Sequence, residues 1–501
     1  HEAGRELEKQ PFTHSEIVPH GQFGIPASCI PAASLNHGPR IIYQSSMSKQ
    51  ALSGFHSVHR ERYDGTIKRQ IAPTRTFFET RTYQPVGLNA MPSSDTPVVA
   101  ILSHPINNED SIVVKKEFLD QHFLIAKYTC YKIKIEADRR EEIGMTPEAE
   151  EDRYGINKAL WKSTDPGVNP DMIGLPKVGM YIDKNEAHLG RIRIEADKDT
   201  GEQIRKYAPS TTGMGKEGFI DRVEVIRDAS NTLTVKIKVV QYRRQIAGDK
   251  MASRYSQKGT YGKVIPANRL PRIASGPNKG VIPDIFINPI CIPGRMTQGK
   301  IVELLLGKAV AYTGEKIDGS PFSQLRIAYH QDTLDKAGLD ITGSEEMVHY
   351  DGVPLQNVDL DGNVTKTLVY VGLCAYQSLK HHVIDKFQKR DVKQFNPLTH
   401  QPSAGRINEG GLKFGEMEHD ATVSHGTTEI TADRLLHASD KYRVIICVNC
   451  GNIAISNFEP SKTRCQFCSK NKFGLVEITF ISHLIIRMFN AIGIHVHLMV
   501  K

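Results

Sequence analysis

Four cysteines near the end of the sequence are spaced for metal chemistry: Cys447 and Cys450, then fourteen intervening residues, then Cys465 and Cys468. Each Cys-x2-Cys pair presents two sulfurs on one tight turn, and a hairpin between the pairs brings four thiolates into the tetrahedron that zinc favours. Four protein ligands leave no open coordination position, so the expected Zn2+ is structural and not catalytic. The alternative is a set of unligated or redox thiols. The other four of the eight cysteines, Cys29, Cys130, Cys291 and Cys374, stand alone, which speaks against a disulfide framework.

A second constellation runs from Gly248 to Gly262, where Lys250, Arg254 and Lys258 fall at spacing four. Three cations at that spacing would share one helical face, but Gly259 and Gly262 favour a loop ending in which backbone approaches an anion closely. A phosphate-binding loop is one reading and a solvated basic surface the other. Glu109 and Asp110 follow Asn107 and Asn108 at the end of a predicted strand; two adjacent carboxylates there could hold a hard cation, or simply form a solvated turn. The stretch Gly294 to Lys300 fits a P-loop except at its last position, where Ile301 stands in place of the Ser or Thr that meets magnesium. An ATPase or kinase is therefore excluded. The stretch is expected to turn into a helix beginning near Gln298, with Thr297 as N-cap and Ile301, Leu304, Leu305 and Leu306 on its apolar side. Arg295 remains a candidate phosphate clamp, since guanidinium binds phosphate bidentately; otherwise it is an ordinary helix-start residue.

The elements that must position these groups are mixed α/β and β-rich. At 501 residues, 39% hydrophobic and 24% charged, the chain can bury several cores, and three or four units are expected. From His14 to about Ile125, short apolar runs such as Val98 to Leu102 alternate with Pro, Gly and Asn clusters, the pattern of strands joined by irregular loops. From Ala126 to Tyr242 two similar phrases, Ile133 to Asp138 and Ile192 to Asp197, echo by chance. Val223 and Val225, then Leu233, Val235, Ile237 and Val239, alternate around Asp228 to Asn231 as a hairpin with one buried face, predicting a separate β module. Arg243 to Gly405 is mixed, Gly410 to His437 holds a Gly-Gly pair and a helix, and a small cysteine-bearing module closes the chain.

Lys+Arg outnumber Asp+Glu by 64 to 56, a net charge of +8, which favours a polyanionic partner without identifying one. His1 to Pro11 is charged and lacks the apolar segment of a secretory signal, so a reducing, intracellular home is expected. Phe480 to Val500 is interrupted by His483, Arg487, Asn490, His495 and His497; it is expected to form a packed helix and a final strand, with no membrane span. The lack of an initiating Met suggests that residue 1 is a cut.

Several phrases occur together and in order: GPRIIYQSSMSKQA from Gly38 to Ala51, NEDS from Asn108, GDKMASRYSQKG from Gly248 to Gly259, PDIFINP from Pro283, IPGRMT from Ile292, GGLKFGEME from Gly410, and His425-Gly426 before the cysteine module. In this order they resemble the C-terminal portion of the second-largest (β-type) subunit of multisubunit DNA-directed RNA polymerases, over nearly the whole chain and weakly from 126 to 242. The zinc module points to the eukaryotic, archaeal and large-DNA-virus enzymes. The resemblance implies nucleotidyl transfer with the catalytic Mg2+ held by aspartates of the largest subunit, which are not in this chain. Lys250 and Lys258 would contact the RNA 3′ end and the incoming NTP, Arg40 and Arg295 its triphosphate, while Glu109 and Asp110 would lie near the second metal. Tyr43, Gln50, Arg254 and Lys413 would contact substrate or nucleic acid.

The resemblance also implies an organisation: residues 1–125 and 243–409 as two parts of a hybrid-binding domain with a double-psi β-barrel, 126–242 as an inserted wall, 410–437 as a helical anchor, and 438–501 as a zinc-ribbon clamp module. Partners would be the largest subunit, smaller assembly subunits, DNA template, RNA transcript and NTPs, in nucleus or cytoplasm and away from membranes. An upstream half would complete the subunit, and this chain alone would be inactive. Tyr255 and Ser256 replace the usual His-Gly, and Cys291 and Gly294 are unusual in their phrase, a drift that hints at a viral enzyme (virion or viral factory). The rival readings are a non-catalytic zinc-ribbon protein binding nucleic acid by charge, and a regulatory polymerase paralogue; both leave Lys250, Lys258, Arg40 and Arg295 unexplained.

Overall fold

Continuous runs of β-branched residues build the centre of the first unit. In the computed structural model, Val98–Ile101 and Ser111–Lys115 are strands whose Val99, Ala100, Val113 and Val114 are fully buried. Alternate residues face two different cores: Val99, Ile112 and Val114 pack with Ile285 and Ile287 on one side, Ala100 and Val113 with Phe286 on the other. A strand buried on both faces cannot afford polar alternation, which is why these segments read as unbroken apolar runs. The structure describes residues 13–14, 17, 19–54, 58–135, 140–151, 155–196, 203–229, 232–358, 364–390, 395–454, 463–468 and 472–499. His1 to Pro11, and residues 230 and 231 of the expected hairpin tip, lie outside them.

These strands belong to a nine-stranded mixed sheet in the order Arg272–Ile273, Ser344–Val348, Leu368–Leu373, Val98–Ile101, Ile285–Ile287, Ser111–Lys115, Lys258–Ile265, Lys250–Ser253, Tyr376–Ser378. Lys258–Ile265 runs parallel to Ser111–Lys115, and Ile285–Ile287 parallel to Val98–Ile101, while Ile285–Ile287 and Ser111–Lys115 are antiparallel. Parallel neighbours need crossover connections, so strands far apart in sequence meet here. The helix Gln298–Thr313 packs on this sheet with Leu304 and Leu306 fully buried.

A second, five-stranded antiparallel sheet has the order Thr66–Gln70, Ile125–Ile135, Leu233–Arg243, Gly218–Arg227, Tyr181–Ile182. The expected alternation pairs Val223 with Ile237 and Val225 with Val235, and Ile220, Val235, Ile237 and Val239 form its buried face. Its edge strand Thr66–Gln70 comes from the preceding segment, in register with Ile125 to Thr129. Such long-range pairing leaves no local signature, so the module does not begin cleanly at residue 126. The two echoing phrases sit in different sheets, Ile133 in this one and Ile192 in a three-stranded sheet.

Two compact units result, the first ending at Lys386 and the second starting at Phe387, rather than three or four. In the second, Lys441–Cys447 and Phe473–Thr479 form a two-stranded antiparallel ladder, preceded by the helix Glu416–His425 and followed by the helix Phe480–Ala491. The expected final strand does not form: residues 494 to 499 are without a ladder, and Leu498 N donates instead to Gly451 O, 3.1 Å away. Among the described residues no helix is long and apolar enough to cross a membrane.

Candidate functional site

Lys250 and Lys258 lie on the two strands of one hairpin and not on a helical face. Lys250 pairs with Thr260 and Ala252 with Lys258. Directly opposed residues share a face, so the two lysines are diagonal neighbours, with about 7–8 Å expected between them. Arg254 to Gln257 form the turn, with Ser256 in the left-handed region at φ +63° and its N–H donating to Gln44 Oε1. That conformation is natural to glycine, which accounts for the Gly usual in the resembling sequences.

The glycines serve a different approach from the one expected. A Cβ on Gly259 would lie 2.6 Å from Asp110 O, and one on Gly262 would overlap the Ser111 side chain. What comes close is therefore the neighbouring strand: Thr260 N donates to Asp110 O at 3.1 Å. This places the acid pair beside Lys258. Glu109 occupies the left-handed region at φ +53°, at a turn where the chain reverses into Ser111–Lys115.

Arg295 reaches the same place from the other side. Its guanidinium forms an ion pair with the Asp110 carboxylate. The helix Gly38–Ser48 docks its start against the Arg295 loop through Asn36, whose Oδ1 accepts from Gly299 N at 3.1 Å, and through His37 N donating to Met296 O. Arg40, Glu109, Asp110 and Arg295 thereby line one cleft of about 560 Å³. Lys258 joins Glu109, Asp110 and Arg295 around an adjoining recess floored by Gln257 and Lys300. The helix after Arg295 does begin at Gln298, but Thr297 makes no cap with its side chain; its Oγ1 accepts from Gln257 Nε2 at 2.5 Å.

Tyr43 is exposed beside Arg40, whose guanidinium sits 5.7 Å from the ring centroid. Gln50 Oε1 is 2.9 Å from His381 Nε2, and His381 O accepts from Lys250 N, so Gln50 lies next to the first lysine. Burial, then nearby Lys386 and Lys250, push the His381 imidazole below its ordinary pKa. Arg254 is not brought to the cleft face: only 2% exposed, it pairs with Glu303 and donates to Phe78 O at 2.7 Å and to the Tyr83 hydroxyl at 3.1 Å. Its geometry is that of a core ion pair. Lys413 is exposed in the second unit, at a groove with Lys389, Arg390, Phe395 and Arg434. Gln257, Lys300 and Tyr376 were missed as site residues; Lys300 had a signal only as the lysine of the rejected P-loop.

The four cysteines of the second unit come together, all ligand atoms lying within 4.8 Å of one another. Cys447 and Cys468 Sγ are 3.4 Å apart, Cys450 and Cys465 3.4 Å, and Cys465 and Cys468 3.6 Å. Sulfurs about 2.3 Å from a tetrahedral ion lie about 3.8 Å from each other, so the set fits a metal closely. The Cys450 thiol is lowered to about 6, chiefly by the Asn452 backbone N–H.

Residues 26–408 match the family described as RNA polymerase Rpb2, domain 6, and residues 410–501 the one described as RNA polymerase Rpb2, domain 7. The chain belongs to the RNA polymerase Rpb2 family. Similar Rpb2-family proteins include DNA-directed RNA polymerase II subunit 2 of Arabidopsis thaliana, 30% identical over 93% of this chain and 38% of the relative. DNA-directed RNA polymerase II subunit RPB2 of Schizosaccharomyces pombe is 32% identical over 98% of this chain and 40% of the relative. The archaeal subunit Rpo2 of Saccharolobus solfataricus is 32% identical over 90% of this chain and 39% of the relative. The chain thus spans about two fifths of the length of these relatives. All three are cellular proteins, and they lend nothing to the viral source suggested by the sequence drift.

Proposed function

We propose that this chain is the C-terminal portion of the second-largest subunit of a DNA-directed RNA polymerase, a nucleotidyltransferase active only with its largest subunit. The observation that carries this reading is the convergence of Arg40, Lys258 and Arg295, from three separated segments, on the acid pair Glu109 and Asp110. In-line phosphoryl transfer concentrates negative charge on the reacting phosphate and the departing pyrophosphate, and fixed cations in a partly dehydrated cleft stabilise it. Arg295, held by Asp110 in this structure, is the guanidinium that triphosphate oxygens would engage, with Arg40 beside it. Lys258 and Lys250, on one hairpin face, would take the RNA 3′ end and the α-phosphate side. Mg2+, when bound, supplies charge neutralisation at the reacting phosphates. Among the described residues no third carboxylate joins Glu109 and Asp110, so its main ligands are assigned to the largest subunit.

In the same reading the nine-stranded sheet is this chain's part of a double-psi β-barrel in a hybrid-binding domain. The five-stranded sheet is the wall, residues 410–437 the anchor and the cysteine module a zinc-ribbon piece of the clamp, with Zn2+ held by Cys447, Cys450, Cys465 and Cys468. Tyr43, Gln50 and Lys413 would track template DNA and transcript; Arg254 acts as a core residue. The partners are the largest subunit, smaller assembly subunits, nucleic acid and NTPs, inside the cell.

Lys258→Ala and Lys250→Ala in the assembled enzyme test the reading. Nucleotide addition is expected to fall about 10²-fold or more while binding to an RNA–DNA scaffold is kept. Unchanged addition with uniformly weaker scaffold binding would show that these lysines act by charge alone.

A further inference from the structure

Lys300 is an unusual residue to find where it is. It is 1% exposed, in the first turn of the helix Gln298–Thr313, where the helix dipole disfavours a cation. Its Nζ donates to Gln257 Oε1 and, at 2.9 Å, to the Tyr376 hydroxyl. The nearby carboxylate of Glu303 is already engaged by Arg254, Ala375 N and the Cys374 thiol. Burial pushes the ammonium below its ordinary pKa. A side chain needed only to fill this space would be better served by Met or Leu, since an apolar group carries no desolvation penalty. What Lys300 adds, as an ammonium, is donors with no acceptor beside them.

Those donors act on an amide with two distinguishable ends. The ammonium has no acceptor, so only the Gln257 carbonyl can face it. The Gln257 NH2 is thereby turned to the opposite side, where it donates to Thr297 Oγ1 at 2.5 Å and to Cys291 O at 3.3 Å. Cys291 and Thr297 bracket Arg295, and Gln257 is the residue immediately before Lys258. We propose that Lys300 is a positioning residue for the cleft: by fixing the direction of the Gln257 amide it locks the loop that presents Arg295 against the turn that presents Lys258. Tyr376 ties the same ammonium to the sheet edge, its strand pairing with Lys250–Ser253. The inference rests on the reading of the cleft as the site for NTP phosphates and adds the residues that set its spacing.

The test is a double-mutant cycle in the polymerase assembled with the full-length variant subunit, following KM for NTP, kcat and thermal unfolding. Lys300→Met and Gln257→Leu are each expected to raise KM about tenfold, because a triphosphate contact is displaced. The double variant is expected to be no worse than either single, because both act through one amide. A KM that stays at the parent value in an assembled Lys300→Met enzyme, or effects that add in the double variant, overturns the proposal. If Lys300→Met does not assemble, the cycle is run with Lys300→Gln, which keeps an N–H donor one atom shorter; it is expected to shift KM less than Gln257→Leu does, and additive effects again overturn the proposal. Arg295→Ala, measured in parallel, separates the two levels. A raised KM there with no effect of Lys300→Met removes the positioning role alone, whereas an unchanged KM in Arg295→Ala removes the triphosphate reading of the cleft.

Discussion

Arg254 and Glu303 form an ion pair with side chains 3% and 0% exposed, within hydrogen-bonding reach of Tyr83, Phe78 O and Ala375 N. Such a pair adds little net stability while intact, since desolving both charges offsets their attraction, but losing one partner leaves the other charged and unsolvated. Glu303→Ala is therefore expected to destabilise the first unit by about 3–5 kcal/mol, read as a lowered urea midpoint of the full chain. Arg254→Ala is expected to do the same. An Arg254→Ala enzyme that unfolds like the parent but binds scaffold weakly would return Arg254 to the nucleic-acid contacts first assigned to it. The contrast with Arg295 is instructive: both arginines sit near a glycine-rich turn, and only the fold puts one in the core and the other on the cleft.

At the scale of elements, three strands of the five-stranded sheet converge on one carboxylate. Asp385, just past the Tyr376–Ser378 strand, is bonded by Lys68, Lys127 at 2.8 Å and Arg243 at 2.8 Å, one cation from each of three strands of the five-stranded sheet. Burial alone would raise its pKa, but hydrogen bonds from Lys127, Lys68 and Arg243 together hold it well below the carboxylate range. His382 beside it is pushed down to about 3, by burial first and then by Lys68, and so is neutral at pH 7. A depressed folded-state pKa means that the stabilisation is complete above the unfolded value of about 3.9 and is lost as pH falls through the folded one. Asp385→Asn is expected to cost about 3–5 kcal/mol, with the gap from the parent flat between pH 7 and 5 and closing only in stronger acid. A gap that closes already between pH 7 and 5 in urea titrations would contradict this. The hairpin makes a second prediction at this scale: Gly259→Ala drives a methyl into Asp110 O and Ile112, so overpacking of about 1–3 kcal/mol should accompany a loss of nucleotide addition, as Lys258 moves off the acid pair. Retained activity in a destabilised Gly259→Ala enzyme would show that this spacing is not critical.

At the scale of the whole molecule, dependence on a metal at the cysteine cluster is expected of one of the two units. The second unit has a short two-stranded ladder and a cysteine cluster where the first has a nine-stranded sheet, so removing the ion proposed for that cluster should unfold the second unit preferentially. Chelation, or Cys447→Ser with Cys450→Ser, is expected to abolish amide protection across Lys441–Cys447 and leave it intact across Ser111–Lys115, as read by hydrogen exchange. Equal loss in both units would mean that the metal site supports the entire chain. The purified chain is also expected to make no RNA with Mg2+ and template, because the proposed function assigns the principal metal ligands to another subunit; synthesis above background would overturn that assignment.

How much of this was written in the sequence follows from the range over which each feature is encoded. The cysteine quartet, the start of the Gln298 helix and the alternation from Val223 to Val239 are local patterns, and the spacing of a few residues decides them. The ordered phrases identified the family because residue types, and not their distances, carry a resemblance. The strand that Thr66–Gln70 lends to the second sheet, the β-hairpin where a glycine-ended loop is expected around Lys250 and Lys258, and the inward turn of Arg254 were not legible, since each depends on partners tens to hundreds of residues away. So too does the cleft itself: Arg40, Glu109, Lys258 and Arg295 meet because parallel neighbours in a mixed sheet are joined by long crossovers, and only the assembled sheet determines which loops end side by side.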